Sequence, residues 1–511
     1  MTEPAEPSQP SGDPSVRQDV RAGRDVHVAG RDIYLTSKRS LDDEVATFES
    51  RNSRKRADIL TRYAADDETL KDATVLLRRA SLEAVSATLR ILLARTGAEQ
   101  DLALSLLDYL DESRTRDLVD SLKPEFPFLE FFPQAMEEIS EVRGKTSRVD
   151  DGTGRTARAW ESERGTQGFC RSYENDRIYW SRNGGTHACY GEINTYYDDH
   201  GGSRGTLGFP LSAEDRAEPW APPTDSEGRE TEGKYQRFEG PSDYSDETCA
   251  LLNEGLKCGA TVYWSKEFGA HGTAGPIGEL YELNNGTSGW LGFPVEDEVQ
   301  VRSKAGTSAL RQRFQGGVIY YRDTTGAIPV PYPMAACHNW DSRQNDTRLP
   351  EGPREEVDAA NSSGTRGYRQ QFERRVTVYE SKHGVYIVGW GNRTCYDKLG
   401  GPGSWLGFPK SEEDPNQVST EGSHPSIQEF EGGAIYYKDE YGKYGSIPIP
   451  GTVLESIAEH GLLERMGFPV PKDYSLGSSP ADRIYFFEHG IVTVRDGAVE
   501  PWLPPGLSAP S

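Results

Sequence analysis

The sequence predicts a mostly β repeat array of six hairpin units, preceded by a small α-helical bundle. Three observations predict it. A hydrophobic run ending in a doublet, usually aromatic, returns six times, with anchors at Tyr179, Tyr263, Tyr320, Val378, Tyr436 and Thr493. A Gly-Phe-Pro turn returns four times, 30 residues past the anchor in three units and 32 in the fourth copy. The N-terminal third has neither pattern and shows helical spacing instead. Anchor steps of 84, 57, 58, 58 and 57 residues mean one supersecondary unit copied along the chain and stacked on its neighbours. Such a repeat favours a repetitive binding surface over a single catalytic cleft.

Each unit opens on an aromatic six residues before its anchor: Tyr173, Phe314, Phe372, Phe430 and Phe487. In the second unit it is Phe238, 25 residues before the anchor, so an insertion explains most of the long first step. Two units read Phe-x-Gly-Gly-x-Ile-Tyr-Tyr in full, Phe314 to Tyr321 and Phe430 to Tyr437. The β-branched and aromatic tail is strand-like, and glycine in such a run marks a bulge or a close backbone approach. Five residues past the second doublet position stands a glycine: Gly185, Gly269, Gly326, Gly384 and Gly442. Polar residues precede it, as expected of a hairpin loop in which glycine supplies positive φ.

The turn follows: Leu207-Gly208-Phe209-Pro210, Leu291-Gly292-Phe293-Pro294, Leu406-Gly407-Phe408-Pro409 and Met466-Gly467-Phe468-Pro469. Glycine allows the bend, phenylalanine plugs the core between units, and proline fixes φ and ends ladder bonding. The copy expected near Pro350 reads Arg348-Leu349-Pro350-Glu351, a decayed turn.

Leu-Gly-Phe-Pro recurring with the Phe-x-Gly-Gly-x-Ile-Tyr hairpin resembles the LGFP-repeat family over about residues 165 to 505. The resemblance implies a compact, non-catalytic array with pseudo-rotational symmetry, and leaves open whether it closes into a ring. It also implies actinobacterial cell-wall association and attachment to wall polysaccharide.

Domain boundaries fall at 1–15 for a Pro/Ser/Glu-rich tail, expected to be disordered, and 16–37 for a short Gly-Arg-Asp β repeat (Ala22 to Val28, then Ala29 to Leu35). That short repeat weakly resembles leader segments of actinobacterial signalling and conflict-system proteins. A helical bundle spans 41–140, the repeat domain 150–505 and a tail 506–511. In the bundle, Leu82, Val85, Leu89, Leu92 and Leu93 follow helical spacing within a helix read from Asp67 to Arg95, capped by Asp66 or Asp67, with Gly97 at C′. An earlier helix is read from Glu44 to Tyr63. Its basic run, Arg51, Arg54, Lys55 and Arg56, reads as a solvated face. The apolar stretch Phe126 to Phe132 is expected to dock the helices on the array.

The net charge of −24 excludes a broad nucleic-acid footprint and disfavours anionic membrane surfaces. No run is long and apolar enough for a transmembrane helix, and the N-terminus lacks the pattern of a signal peptide, which predicts a cytoplasmic location. None of the six cysteines is in a Cys-x-x-Cys motif. Free thiols are therefore expected, with Cys249 and Cys258 able to pair in an oxidising compartment. No nucleophile elbow, phosphate loop or His-Glu-x-x-His is present, so neither an enzyme, a metal site nor a cofactor is predicted.

Adjacent strand residues point to opposite faces, so one ring of each doublet enters the core and the other is free for the surface. Exposed rings beside polar groups suit sugars, whose C–H faces stack on aromatics. The ligand-binding candidates are Tyr179, Trp180, Tyr263, Trp264, Tyr320, Tyr321, Tyr436 and Tyr437. The competing reading is that both rings seal the seams between units. His187 and His271 sit two residues past the hairpin glycine, where other units carry Ile328, Tyr386 and Tyr444. A ligand or base would not survive replacement by Ile, so the slot reads as packing unless only the first two units use it. The function read from these features is binding of cell-wall polysaccharide. The alternative is a cytoplasmic scaffold or sensor in a signalling or defence system, with a protein partner.

Overall fold

A computed structural model describes residues 40–64, 67–145, 155–159, 162–173, 176–220, 231–241, 259–303, 305–335, 348–357, 363–413, 426–438, 445–471, 483–495 and 497–504. The short Gly-Arg-Asp repeat, Cys249, Cys258, Cys337, Gly442 and Tyr444 lie outside the described residues. The chain forms two compact units that meet at Pro127 and Phe128.

The first unit holds six helices: α1 Leu41–Glu49, α2 Ser53–Tyr63, α3 Asp67–Arg79, α4 Leu82–Leu93, α5 Ala98–Asp108 and α6 Glu112–Leu122. Helix α4 is central, with Val85, Leu89, Leu92 and Leu93 all buried, and packs on α2, α5 and α6. Local chemistry cuts the two long helices read from sequence. Ser81 turns extended and its hydroxyl accepts from the Ala84 amide, ending one helix and starting the next; Asn52 does the same for Lys55. Gly97 opens α5 with φ of 74° instead of closing α4. Arg56 leaves the solvated face predicted for it. It is buried, donates to Thr88 Oγ1 at 2.8 Å and to the Arg51 carbonyl, and lies over the Phe48 ring.

The second unit begins with a 3-10 turn, Pro127–Phe131, whose first residue lies in the preceding unit, and helix α7, Phe132–Lys145. Six small antiparallel sheets follow. They are β1–β4 (Arg155–Tyr190), β5–β8 (Asp215–Thr273), β9–β12 (Val299–Pro331), β13–β16 (Glu355–Val388), β17–β19 (Ser426–Pro450) and β20–β22 (Arg483–Trp502). Each repeat is thus a meander of three or four strands, larger than the two-stranded hairpin read from sequence. Among the described residues, four repeats also carry a helix that the strand patterns did not reveal: α8 Gly191–Asp199, α9 Gly275–Leu283, α10 Trp390–Leu399 and α11 Gly451–Glu459, with a short α12 Leu463–Met466 after the last. Among the described residues no barrel or ring closes.

The turns join one sheet to the next. Each turn proline bridges to the phenylalanine of the following sheet: Pro210 to Phe238, Pro294 to Phe314, Pro409 to Phe430 and Pro469 to Phe487. The turn glycines Gly208, Gly292, Gly407 and Gly467 all have φ between 65° and 70°, which only glycine adopts cheaply. Phe209, Phe293 and Phe408 are nearly fully buried, and Phe468 is buried. Each of the first three lies over a strand glycine of its own repeat (Gly168, Gly233 and Gly367). There a Cβ would come within about 2.7 Å of the ring and closer still to a cross-strand carbonyl.

The turn near Pro350 has kept its job. Pro350 still bridges to Phe372, and Leu349, fully buried, takes the place of the phenylalanine. Leu349 shares a core cluster with Ala309, which stands where the first, second and fourth repeats have glycine. The smaller side chain in the turn coincides with a larger one beneath it. A second register differs from the sequence reading. The fourth anchor is Tyr379, one residue past Val378: Arg369 pairs with Tyr379 as Arg311 pairs with Tyr320 and Tyr235 with Tyr263. The extra residue sits in the preceding turn, where Arg374 and Arg375 both have positive φ.

Candidate functional site

The core of the array lies between sheets. Tyr179 packs with Phe209 and Tyr197 of its own repeat and with Phe238 and Val262 of the next. Tyr263 packs with Phe293 and Phe314. Tyr320 packs with Leu349 and Phe372, and Tyr379 with Phe408 and Phe430. The first ring of each doublet therefore faces the following seam. The second faces the preceding one: Trp264 packs on the Tyr179 cluster and Tyr321 on the Tyr263 cluster. Both faces of a sheet are core, so neither ring becomes a repeated exposed platform. Tyr179, Trp180, Tyr263 and Tyr320 are buried; Trp264, Tyr321, Tyr436 and Tyr437 are half-buried.

The seams hold polar devices that the motif search missed. A glutamine two residues before the strand phenylalanine is fully buried in four repeats: Gln236, Gln312, Gln370 and Gln428. Its amide donates to two carbonyls at once, one on the preceding sheet's edge strand and one just past the turn proline. Gln236 reaches Ala188 and Ser212 at 3.0 and 2.9 Å, and Gln428 reaches Ile387 and Ser411 at 2.7 and 3.1 Å. The helix tyrosines Tyr197, Tyr281 and Tyr396 donate to the turn-glycine carbonyls of Gly208, Gly292 and Gly407. The spacing Gly-x-x-Gln-x-Phe, present at Gly233 and Gly367, was the readable signal for the glutamines.

The histidine slot has a backbone task. His187 Nε2 bonds the Gly184 carbonyl at 2.7 Å, His271 Nε2 the Phe268 carbonyl at 3.0 Å, and the Tyr386 hydroxyl the His383 carbonyl at 2.9 Å. Each ring thus closes its own hairpin. Burial lowers the His187 pKa, the bond to Gly184 opposing it, which favours the neutral ring as donor. His271 also meets Asp297 Oδ1 at 3.2 Å, and Tyr196 donates to the same oxygen at 2.9 Å.

One candidate residue lines a cavity. Among the described residues no sheet precedes that of Trp180, whose strand meets Phe131 and α7 instead. Its ring stacks on Phe131 at 6.1 Å and tilts against Phe169 at 6.0 Å. Glu138 of α7 bonds Thr186 at 2.7 Å. Burial raises the Glu138 carboxyl, but bonds from Thr186, Gln134 and the Trp180 indole outweigh it, so the pKa falls and the charge is held in place. Beside this wall opens a cavity of about 370 Å³. Phe128, Phe131 and Trp180 form its apolar side; Gln167, Arg182 and Asn183 carry its polar groups. The Arg182 guanidinium lies 4.8 Å from the Phe131 ring centre. Cys189 and Cys395 are buried and form no disulfide. Among the described residues, no cluster of three His, Cys, Asp or Glu could hold a metal, and no helix is long and apolar enough to cross a membrane.

Sheets that share their cores across phenylalanine turns define a seam-packed tandem-repeat protein. The LGFP repeat model matches the chain at residues 158–205 and 291–342, so it carries LGFP repeats. A search of curated proteins gave no match to the chain.

Proposed function

We propose that the chain is a non-catalytic binding protein whose LGFP array takes a segment of polysaccharide, of the cell-wall arabinogalactan type, at the Trp180 cavity. The observation that carries this reading is the cavity's composition. An aromatic wall suits the C–H face of a sugar ring, and Gln167, Arg182 and Asn183 suit its hydroxyls. The array's first sheet supplies this wall, so the chain would grip the polymer at that sheet.

A second reading has its own support. Burial of Tyr179, Tyr263 and Tyr320 removes the repeated row of rings that a long polymer would follow. A protein partner needs no such row, and the separate six-helix unit offers a second surface for a scaffold.

Calorimetric titration of the full chain with arabinogalactan fragments separates the two. Arg182 and Asn183 are exposed, so the double variant R182A/N183A leaves the fold intact. Sugar binding there predicts affinity weaker by about tenfold or more, the scale of lost hydrogen bonds to a charged group. Absence of any binding by the unaltered chain removes the polysaccharide reading and leaves the scaffold.

A further inference from the structure

A second cavity, of about 310 Å³, opens in the fourth repeat. It lies between strands β14 (Gly367–Phe372) and β15 (Val376–Ser381), helix α10 and the Gly400–Gly401 turn. The repeats provide an internal control for what it is. In the first repeat the matching strand position is Arg177, whose guanidinium pairs with Asp198 on helix α8. In the fourth repeat that position is Thr377, as the pairings Ser172 to Arg177 and Gln371 to Thr377 show. The guanidinium beside the helix carboxylate comes instead from the helix itself, as Arg393 beside Asp397. In the second repeat Tyr235 stands where the fourth has Arg369, and its ring packs on Tyr263. The first two repeats thus fill this place with their own side chains, and the fourth leaves it open.

The open place is rich in donors. Arg369 and Arg393 present guanidiniums, Gln371 an amide, and Thr377 and Tyr379 hydroxyls, against one carboxylate, Asp397. The bonds of Arg393, to Asp397 at 3.3 Å and to the Val376 carbonyl at 3.5 Å, are long. They leave most of its five N–H donors to the cavity. Arg369 is tied on its outer side to Glu355 at 2.9 Å. Two planar guanidiniums facing one space match an oxyanion. They do so on a chain of net charge −24, which otherwise repels anions.

We propose that the fourth repeat binds a small saccharide bearing an oxyanion, a sugar carboxylate or a sugar phosphate. The anion lies between Arg369 and Arg393, and ring hydroxyls reach Gln371 and Asp397. This site is independent of the Trp180 cavity, and either can fail without the other.

The test is calorimetry on the full chain with glucuronate, glucose 6-phosphate and glucose. At least one anion is expected to bind, glucose at least about tenfold more weakly, with affinity falling as salt rises. The anion that binds identifies the source of the charge. T377R rebuilds the guanidinium of the first repeat and is expected to abolish binding. R369Q, at a half-exposed side chain, is expected to weaken it about tenfold without lowering the melting temperature, and R182A to leave it unchanged. Equal binding of all three sugars, binding of none, or full affinity in R369Q would each overturn the proposal.

Discussion

The second and third repeats solve one packing problem in two ways. In the second, a turn phenylalanine, Phe293, lies flat on Gly233, and the turn glycine Gly292 sits at φ of 67°. In the third, Leu349 shares a core cluster with Ala309, and Arg348 stands where the glycine would be. Both place a buried side chain in the seam and a proline bridge to the next sheet. What the array requires is therefore filled volume at a fixed point and a bridge beyond it. The letters of the motif are one way to supply them.

Three substitutions press on that comparison. The largest effect is expected from F293A, which empties the seam between the second and third sheets. Its cost is about 3–5 kcal/mol, read as a lower denaturant midpoint. A loss under about 1 kcal/mol would mean that the ring is not the plug. Next comes L349F, which overfills the third repeat by about 1–3 kcal/mol. Adding A309G is expected to recover most of that loss, although glycine in a strand costs on its own. If the double variant is no more stable than L349F, the two positions are not coupled.

The smallest effect concerns His187. Its folded pKa is depressed below the ordinary value of 6.5 because burial disfavours the charged ring. The unfolded chain then binds the proton more readily, so this residue costs stability as pH falls below about 6.5 and is silent above it. H187Y copies the Tyr386 solution and keeps the bond to Gly184. The drop in melting temperature between pH 7 and pH 5 is expected to shrink by roughly 1–2 °C. An unchanged pH profile would sever the link to this ring.

Much of the fold was legible because the repeats act as an alignment within one chain. Period, turn and strand aromatics all follow from residues at constant offsets. What escaped was chemistry without a period of its own. Helices α8 to α11 are only nine or ten residues long, so strand signals on either side masked them. A one-residue insertion at Arg374–Arg375 moved the anchor from Val378 to Tyr379, because two short strands give register little to hold. In the helical unit Ser81 and Asn52 broke helices that periodicity alone would have run through. The candidate site was legible in part. Trp180 stood out as a ring in a doublet. Its partners Phe128 and Phe131 come from a segment with no repeat signature, and only the fold brings them together. The polar slot of the fourth repeat was invisible, since Arg177 and Thr377 look unrelated until their strand pairings align them.

The residue after each strand aromatic has a further consequence. Gln315 reaches back to Thr231 at 2.9 Å, Glu373 to Arg322 at 3.6 Å, Glu431 to His383 at 2.8 Å and Glu488 to Lys438 at 2.8 Å. Four of the five borders thus carry a pair of their own: neutral, cationic, imidazole, cationic. Copies that share a shape therefore differ in the pair each border offers. Splicing the fifth sheet onto the third would pair Glu431 with Arg322, whereas splicing the fourth onto the second would set Glu373 against Ser265, with no cation at that position. Gene duplication can lengthen such an array, but a new border is tolerated only where its pair matches, because an unmatched charge in a buried border is costly.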